Sequence, residues 1–245
     1  MRRRELLVGA AACLVAGEAG AFGASTKVDV AELDMGKLTR PNAWKRLLYE
    51  VMQTTSVECE ARVVRVPPGD AQLFQHPFCV LIGDEGFEQP DSHGLEQLSR
   101  YLSYGGFLFV DDASGSENSA FDDSVRELAR RLFPTRPLSS IPADHSVYRS
   151  FFLLKKPLGR IDRFETLEGI TVGNLSPLLY CRNDVSGALD RGDDGRARQA
   201  CVPGGERQRR EAIKLGINLV MYSLTANYKR DQAHVKQLMR EGRLE

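Results

Sequence analysis

Acidic and amide side chains directly follow three short apolar runs, and these runs have the pattern of buried strands. The polar pairs are Asp84-Glu85, Asp111-Asp112 and Asn183-Asp184. Because the carboxyl ends of parallel strands meet at one edge of an open sheet, we expect these side chains to lie close together. Carboxylates in such a position can bind a hard cation, or accept hydrogen bonds from an amine or from sugar hydroxyls. The sequence therefore predicts a ligand site built from strand-end loops.

Two further side chains are of types that catalysis uses. His145 follows Asp144, and a histidine can carry a proton or bind a ligand near neutral pH. Ser114 lies between Ala113 and Gly115, although the Gly-x-Ser-x-Gly pattern of a hydrolase elbow is absent. The ligand-binding hypothesis uses Asp84, Asp111, Asp112, His145, Asn183 and Asp184. An enzyme hypothesis, a hydrolase or an amidotransferase-like protein, uses Asp111, Asp112, Ser114 and His145.

A structural interpretation of the same residues also stays open. The acids can cap the helices that follow them and pair with nearby lysines or arginines. Asp144 with His145 can hold a turn together in the same way. The enzyme hypothesis requires His145 and the acids to share one pocket, so their relative positions separate these interpretations. A purely structural subunit of a secreted or membrane complex is the third option.

The stretch from Leu95 to Gly115 predicts the unit that positions the central acids. Leucines at 95, 98 and 102 form one apolar helix stripe, and Gly105-Gly106 suits the end of that helix. The apolar run at 107–110 is typical of a strand that is covered on both faces. Similar helix and strand patterns alternate along the chain. They predict an α/β fold, a three-layer sandwich with a mostly parallel central sheet.

Residues 41–228 are predicted as a single α/β domain, preceded by a lead-in at 25–40 and followed by a charged helix or tail at 229–245. The 33 basic and 33 acidic residues balance, which does not indicate a nucleic-acid partner. Arg207, Arg209 and Arg210 are predicted as a solvated basic face. After the N-terminal region no apolar run is long enough to span a bilayer.

Residues 1–24 predict an export signal. The segment from Arg2 to Leu7 resembles the twin-arginine pattern, and small residues up to Ala24 suit a cleavage site. A basic N-terminus or a simple membrane anchor is the alternative. Export predicts a periplasmic or secreted protein, in which Cys181 and Cys201 could form a disulfide. The alternative is that Cys79 and Cys181 are buried core thiols.

Several separate motifs follow one another along the chain: Tyr104-Gly105-Gly106-Phe107-Leu108-Phe109-Val110-Asp111-Asp112, Leu132-Phe133-Pro134, Asp144-His145, Tyr148, Ser150-Phe151-Phe152, Leu167-Glu168-Gly169-Ile170, Asn183-Asp184, Leu215-Gly216-Ile217-Asn218 and Tyr222-Ser223-Leu224-Thr225. In these residues the chain resembles a bacterial family known as domain of unknown function 4159, over roughly residues 40–228. The resemblance implies a fold like that of class I glutamine amidotransferases and flavodoxin-like domains. It also implies association with cell-envelope systems that carry AAA+ ATPases and von Willebrand factor A-type domains. It implies no known activity, and the sequence leaves the cofactor unknown.

Amidotransferases of that fold place a cysteine nucleophile on a sharp turn between a strand and a helix. Cys79 lies inside a predicted strand here, and Cys181 is followed by Arg182 and Asn183. Neither cysteine has the expected setting. The first hypothesis from the sequence is therefore a binding domain of the cell envelope without the amidotransferase nucleophile.

Overall fold

A computed structural model describes residues 27–240, with side chains described up to residue 226. The predicted export signal lies outside the described residues. Within them, seven strands form one sheet: β1 (Val28–Leu33), β2 (Cys59–Val66), β3 (Phe78–Gly83), β4 (Phe107–Asp112), β5 (Ser139–Ser140), β6 (Glu168–Val172) and β7 (Leu175–Cys181). The helices are α1 (Ala43–Thr54), α2 (Ser92–Ser103), α3 (Ala120–Leu132), α4 (Val185–Leu189) and α5 (Gly205–Arg240).

The order of strands across the sheet is β2-β1-β3-β4-β7-β6-β5. The first five strands in that order run parallel to one another, whereas β6 is antiparallel to β7 and β5 is antiparallel to β6. The prediction of a mostly parallel central sheet is therefore confirmed, and the antiparallel strands are confined to one edge.

Helices cover both faces of the sheet because alternate strand residues point to opposite sides. On one face, Val80 shares a hydrophobic core with Trp44 of α1 and with residues of α4 and α5. On the other face, Leu81 shares a separate core with Leu98 of α2 and Phe121 of α3. These two cores give the three layers that the alternating pattern predicts.

The start of the domain differs from the prediction. The segment at 25–40 was expected to be a lead-in, but β1 lies inside it and is hydrogen-bonded between β2 and β3. Val30 and Ala31 are fully buried in this strand. Glu32 is also buried, beside Arg65, and this charged residue interrupts the apolar pattern by which a central strand is recognised.

The C-terminal region also differs from the prediction. A separate charged helix or tail was expected at 229–245, but α5 is continuous from Gly205 to Arg240. The basic cluster near its start was expected to be solvated. Arg209 is instead buried, and its guanidinium donates to the carbonyl oxygens of Ala188 and Gln199. This arginine therefore connects the first turns of α5 to α4 and to the loop that precedes α5.

Candidate ligand-binding site

The predicted polar residues do leave the sheet at one edge. In the ladder between β3 and β4, Ile82 pairs with Asp111 and Gly83 with Asp112, and Asp111 in turn pairs with Cys181 of β7. Parallel strands in this register bring their carboxyl ends together, so the convergence expected from the sequence is correct. The side chains nevertheless have different surroundings, and those surroundings decide what each one can bind.

Asp111 is fully buried and holds the start of α4. Its carboxylate accepts hydrogen bonds from the backbone N–H groups of Val185 (3.0 Å) and Ser186 (2.6 Å). Burial, with the nearby charge of Asp184, raises the pKa of Asp111 to about 7, while the bonds from Ser186 and Val185 oppose this rise. The carboxylate is thus engaged inside the protein rather than presented to a ligand.

Asp184 is a second fully buried carboxylate at this edge. It has a left-handed backbone (φ 53°) and caps α4 by accepting from Gly187 N–H at 2.7 Å. Arg40 makes an ion pair with it at 2.8 Å, and Arg160, from a different segment of the chain, makes a second ion pair with it. Two arginines from distant segments therefore neutralise this carboxylate and fasten those segments to the end of β7.

Asp112 is satisfied by residues of its own loop and of α3. Its carboxylate accepts from Ser114 N–H at 2.8 Å and from the Ser119 hydroxyl at 2.7 Å. Ser119 in turn accepts from Asp122 N–H at 2.9 Å and so caps α3. The Ser114 hydroxyl accepts from Ser116 N–H at 3.1 Å, which is a bond within the loop.

Asn183 organises the segment that crosses the end of β7. Its side-chain oxygen accepts from the N–H groups of Arg163 (3.1 Å) and Phe164 (3.0 Å). Its side-chain nitrogen donates to the carbonyl oxygens of Pro157 and Phe164, both at 2.7 Å. The side-chain amide is buried, and both its oxygen and its nitrogen form hydrogen bonds. Asn183, Asp111, Asp112 and Asp184 all match the structural interpretation of the strand-end residues.

His145 does not join these residues, and the prediction that it lies with the acids is wrong. Its Nε2 lies 3.2 Å from the hydroxyl of Ser176, near the amino end of β7, and its ring packs on Tyr222. Asp111 is aligned with Cys181, five residues further along β7. At about 3.3 Å per residue, the strand separates the two levels by about 16 Å. The catalytic group that included Asp111, Asp112, Ser114 and His145 is therefore not assembled.

The physical reason for the position of His145 is its role in a turn. Its Nδ1 accepts from Val147 N–H at 3.2 Å, at the start of a short 3-10 helix over residues 146–149. Burial lowers the pKa of His145, with Asp144 opposing that effect. The neutral imidazole that burial favours is the form that can accept this bond.

The four cysteines within residues 27–240 are free and buried thiols, so the expected option of a disulfide between Cys181 and Cys201 is not realised. Burial raises the pKa of Cys59 to about 11 and also raises the pKa values of Cys79, Cys181 and Cys201. Because the thiolate is the nucleophilic form, such thiols are poorly suited to amidotransferase chemistry.

A crevice opens at the carboxyl ends of β1 and β3. In the strand order, β2 and β3 are the two neighbours of β1. The chain therefore adds β2 on one side of β1 and then adds β3 on the other side. In an open α/β sheet such a switch in direction leaves a gap where ligands bind. A cavity of about 40 Å³ lies there, and its polar lining consists of Lys37, Thr39, Asp84 and Glu85. We call it the switch-point crevice.

The apolar part of the crevice is built by close packing between α3 and the end of β3. A Cβ at Gly83 would lie 2.1 Å from the ring of Phe121, so only glycine lets this ring approach the strand. Phe121 packs against Phe87 with ring centroids 5.5 Å apart. Both rings line the cavity. The crevice therefore combines an aromatic wall with a charged rim.

The charges of the crevice are unbalanced. Lys37 Nζ lies 2.9 Å from Asp84 and 3.7 Å from Glu85, which leaves one excess negative charge among these three groups. Hydrogen bonding to Asp84 raises the pKa of Lys37, so the ammonium form is favoured. The hydroxyl of Thr39 is buried and makes no hydrogen bond with any residue in the described range.

Lys37 and Thr39 were missed from the sequence, because their segment was interpreted as a lead-in. The detectable signal was an apolar pair on each face of an extended chain, Val28 with Val30 on one face and Ala31 with Leu33 on the other, which suits a buried strand despite the intervening charges. Once that strand is recognised, residues 37–39 follow a strand end in the same way as Asp84. Of the predicted ligand-binding residues, only Asp84 lines the crevice.

The fold and the crevice define an open α/β domain with a candidate site at the switch point of its parallel strands. The model of the family described as Domain of unknown function (DUF4159) matches residues 29–224, so the chain belongs to this family. No curated protein is significantly similar to the chain. Among residues 27–226, whose side chains the structure describes, there is no group of three or more His, Cys, Asp or Glu arranged to hold a metal ion. No described helix has both the length and the hydropathy needed to cross a bilayer.

Proposed function

We propose that this chain is a binding domain that holds the amine- and hydroxyl-bearing end of a small polar ligand in the switch-point crevice. The observation that carries the proposal concerns Thr39: this residue lines the cavity, and its buried hydroxyl has no hydrogen-bond partner in the described chain. An unsatisfied buried polar group costs about 1–3 kcal/mol. A ligand that hydrogen-bonds to Thr39 would remove that cost.

The charge of the crevice favours a cationic ligand. Asp84 and Glu85 together exceed the single positive charge of Lys37, and an ammonium group of a ligand would restore the balance. The Lys37 side chain is half exposed, and exposed ion pairs of this kind are weak. Lys37 can therefore shift enough to admit a ligand ammonium beside Asp84 while its own charge stays near the two carboxylates.

The size of the cavity limits what enters it. About 40 Å³ is available, and one water requires roughly 10–15 Å³ of such volume. The crevice therefore accommodates a group of a few heavy atoms, with the rest of the ligand outside. An amine with a neighbouring hydroxyl fits both the volume and the two kinds of polar partner.

Thermal shift and calorimetry with ethanolamine and glucosamine test this proposal, with ethylene glycol and glucose as uncharged counterparts. The amines are expected to bind more tightly than their counterparts. Thr39→Val should weaken amine binding, yet raise the melting temperature of the free protein because it removes the unsatisfied hydroxyl. Asp84→Asn should weaken binding too. Glu88→Gln is the matched control, since Glu88 is exposed nearby and does not line the crevice.

Equal binding of glucose and glucosamine would contradict the cationic part of the proposal. Unchanged affinity in Thr39→Val would contradict the site itself. Binding that is lost equally in Glu88→Gln would show a general charge effect instead of recognition in the crevice.

The same proposal places the domain in the periplasm or outside the cell. Its support is the twin-arginine-like segment around Arg3 and Arg4. An envelope complex with AAA+ ATPases and von Willebrand factor A-type proteins is part of the proposal and rests on the family resemblance alone. Replacing Arg3 and Arg4 with lysine should retain the protein in the cytoplasm, as measured by cell fractionation. Export of the double variant at the normal level would contradict this assignment.

A further inference from the structure

A second and larger cavity lies between the segment 153–162 and the first turns of α5. Its volume is about 440 Å³, within the range of roughly 300–1,000 Å³ that is typical of small-molecule sites. Leu153, Leu158 and Pro203 supply its apolar surface. We call it the α5 groove, and it shares no lining residue with the switch-point crevice.

The base of the α5 groove is fixed by one buried side chain. The side-chain NH2 group of Gln208 lies within hydrogen-bond distance of three carbonyl oxygens, those of Gly159 (2.8 Å), Arg160 (3.0 Å) and Val202 (3.0 Å), so its two N–H donors are shared among them. Its side-chain oxygen accepts from Gly204 N–H at 2.8 Å. These bonds join the two walls, so the groove exists before any ligand arrives. A preformed site avoids part of the ordering cost of binding.

The lining carries two cations that no described acid neutralises. Lys156 pairs with Asp162 at 2.6 Å, and Glu211 pairs with Lys214 at 2.7 Å. Lys155 and Arg207, which also line the groove, make no ion pair with any of the side chains described between residues 27 and 226. Because Lys155 belongs to one wall and Arg207 to α5, the two charges flank the groove. The start of α5 adds a partial positive charge of the same sign.

Leu153 extends the apolar surface to the rim. Its relative exposure is 87%, and Val202, next to the lining residue Pro203, is also exposed. A single exposed leucine needs no explanation, but an exposed leucine on the rim of a large apolar groove is favourable for contact with a ligand. Apolar walls with two flanking cations are complementary to a molecule that has an apolar body and an anionic group.

We propose that the α5 groove binds a small organic anion with an apolar body, namely a carboxylate or a phosphate monoester attached to a hydrocarbon chain. The anionic group lies between Lys155 and Arg207, and the hydrocarbon lies against Leu153, Leu158 and Pro203. This site is independent of the switch-point crevice, so either one can fail without the other.

Calorimetry of the full chain with octanoate and octyl phosphate, each below its micelle concentration, tests this proposal. Octanol removes the charge and acetate removes the apolar body, so both are expected to bind more weakly than octanoate. The comparison of octanoate with octyl phosphate identifies whether a fatty-acid-like or a phosphorylated ligand fits better. Octanol binding as tightly as octanoate, or no binding of either anion at millimolar concentration, would overturn the proposal.

Charge-reversal variants locate the site. Lys155→Glu and Arg207→Glu are each expected to lower the affinity for the better anion by about tenfold or more. Arg210→Glu is the matched control, because Arg210 is an exposed arginine on the same helix that does not line the groove. Leu153→Ser, at an exposed position that does not threaten folding, should weaken binding as well. An equal loss in Arg210→Glu, or no loss in either lining variant, would refute the assignment.

Discussion

Asp184 and Asp84 lie at the same edge of the sheet, and their different burial gives the two aspartates different roles. Asp184 is buried between Arg40 and Arg160, and its carboxylate also caps α4. Asp84 is partly exposed and meets only the flexible ammonium of Lys37. The first carboxylate is part of the framework, whereas the second remains accessible to a ligand.

Because of this difference in burial, replacing aspartate by asparagine is expected to lower the free energy of unfolding more at position 184 than at position 84. Asp184→Asn keeps the capping oxygen, and asparagine tolerates the left-handed backbone, so the main loss is the charge between two arginines. Leaving buried charges without their partner costs about 3–5 kcal/mol. The free energy of unfolding, measured by urea denaturation, should fall by that amount. Asp84→Asn should change it much less, because its ion pair is exposed.

If the two variants lose comparable amounts of unfolding free energy, the ion pairs of Asp184 do not stabilise the fold in the way described here. A loss in Asp84→Asn alone would reverse the roles assigned here to the two carboxylates.

At the scale of elements, the start of α3 depends on a serine that also supports β4. Ser119 accepts from Asp122 N–H and donates to Asp112, so one hydroxyl links the helix to the end of the strand. Ser114, five residues earlier, bonds only within its loop through its hydroxyl. Ser114, the candidate nucleophile, therefore has a smaller structural role than Ser119, which was not among the predicted site residues.

Ser119→Ala should destabilise the protein by about 1–2 kcal/mol, as expected for a lost N-cap. Ser114→Ala is the matched comparison and should cost less. Thermal or urea unfolding of both variants checks the difference. If Ser114→Ala proves the more damaging of the two, the linkage between α3 and β4 described above is incorrect.

Several elements could be predicted from local patterns. The leucine stripe of α2, the glycines that end it and the apolar run of β4 are all local signals, and the structure reproduces them. The strand β1 was missed because Glu32 is a charged residue inside a buried strand, and only its tertiary partner Arg65 explains it. Sequence patterns do not include such distant partners.

At the scale of the whole molecule, the sequence predicts which edge of the sheet carries the site. It does not predict which side chains at that edge stay accessible to a ligand. The alternation of helices and strands placed the carboxyl ends together. It did not predict that Arg40 and Arg160, from distant segments, would neutralise Asp184. Nor did it place His145 at the amino end of β7, because the segment 135–168 has little regular periodicity. The switch-point crevice depends on strand order, which only the complete topology determines.

Protein-observed NMR during a titration with glucosamine tests the central claim most directly. Backbone amide signals of residues 37–39 and 83–87 are expected to shift with increasing ligand, and those of residues 183–187 should remain nearly unchanged. In Thr39→Val the shifts should require more ligand. Shifts centred on residues 183–187, or a titration that Thr39→Val leaves unaltered, would contradict a binding site in the crevice between β1 and β3.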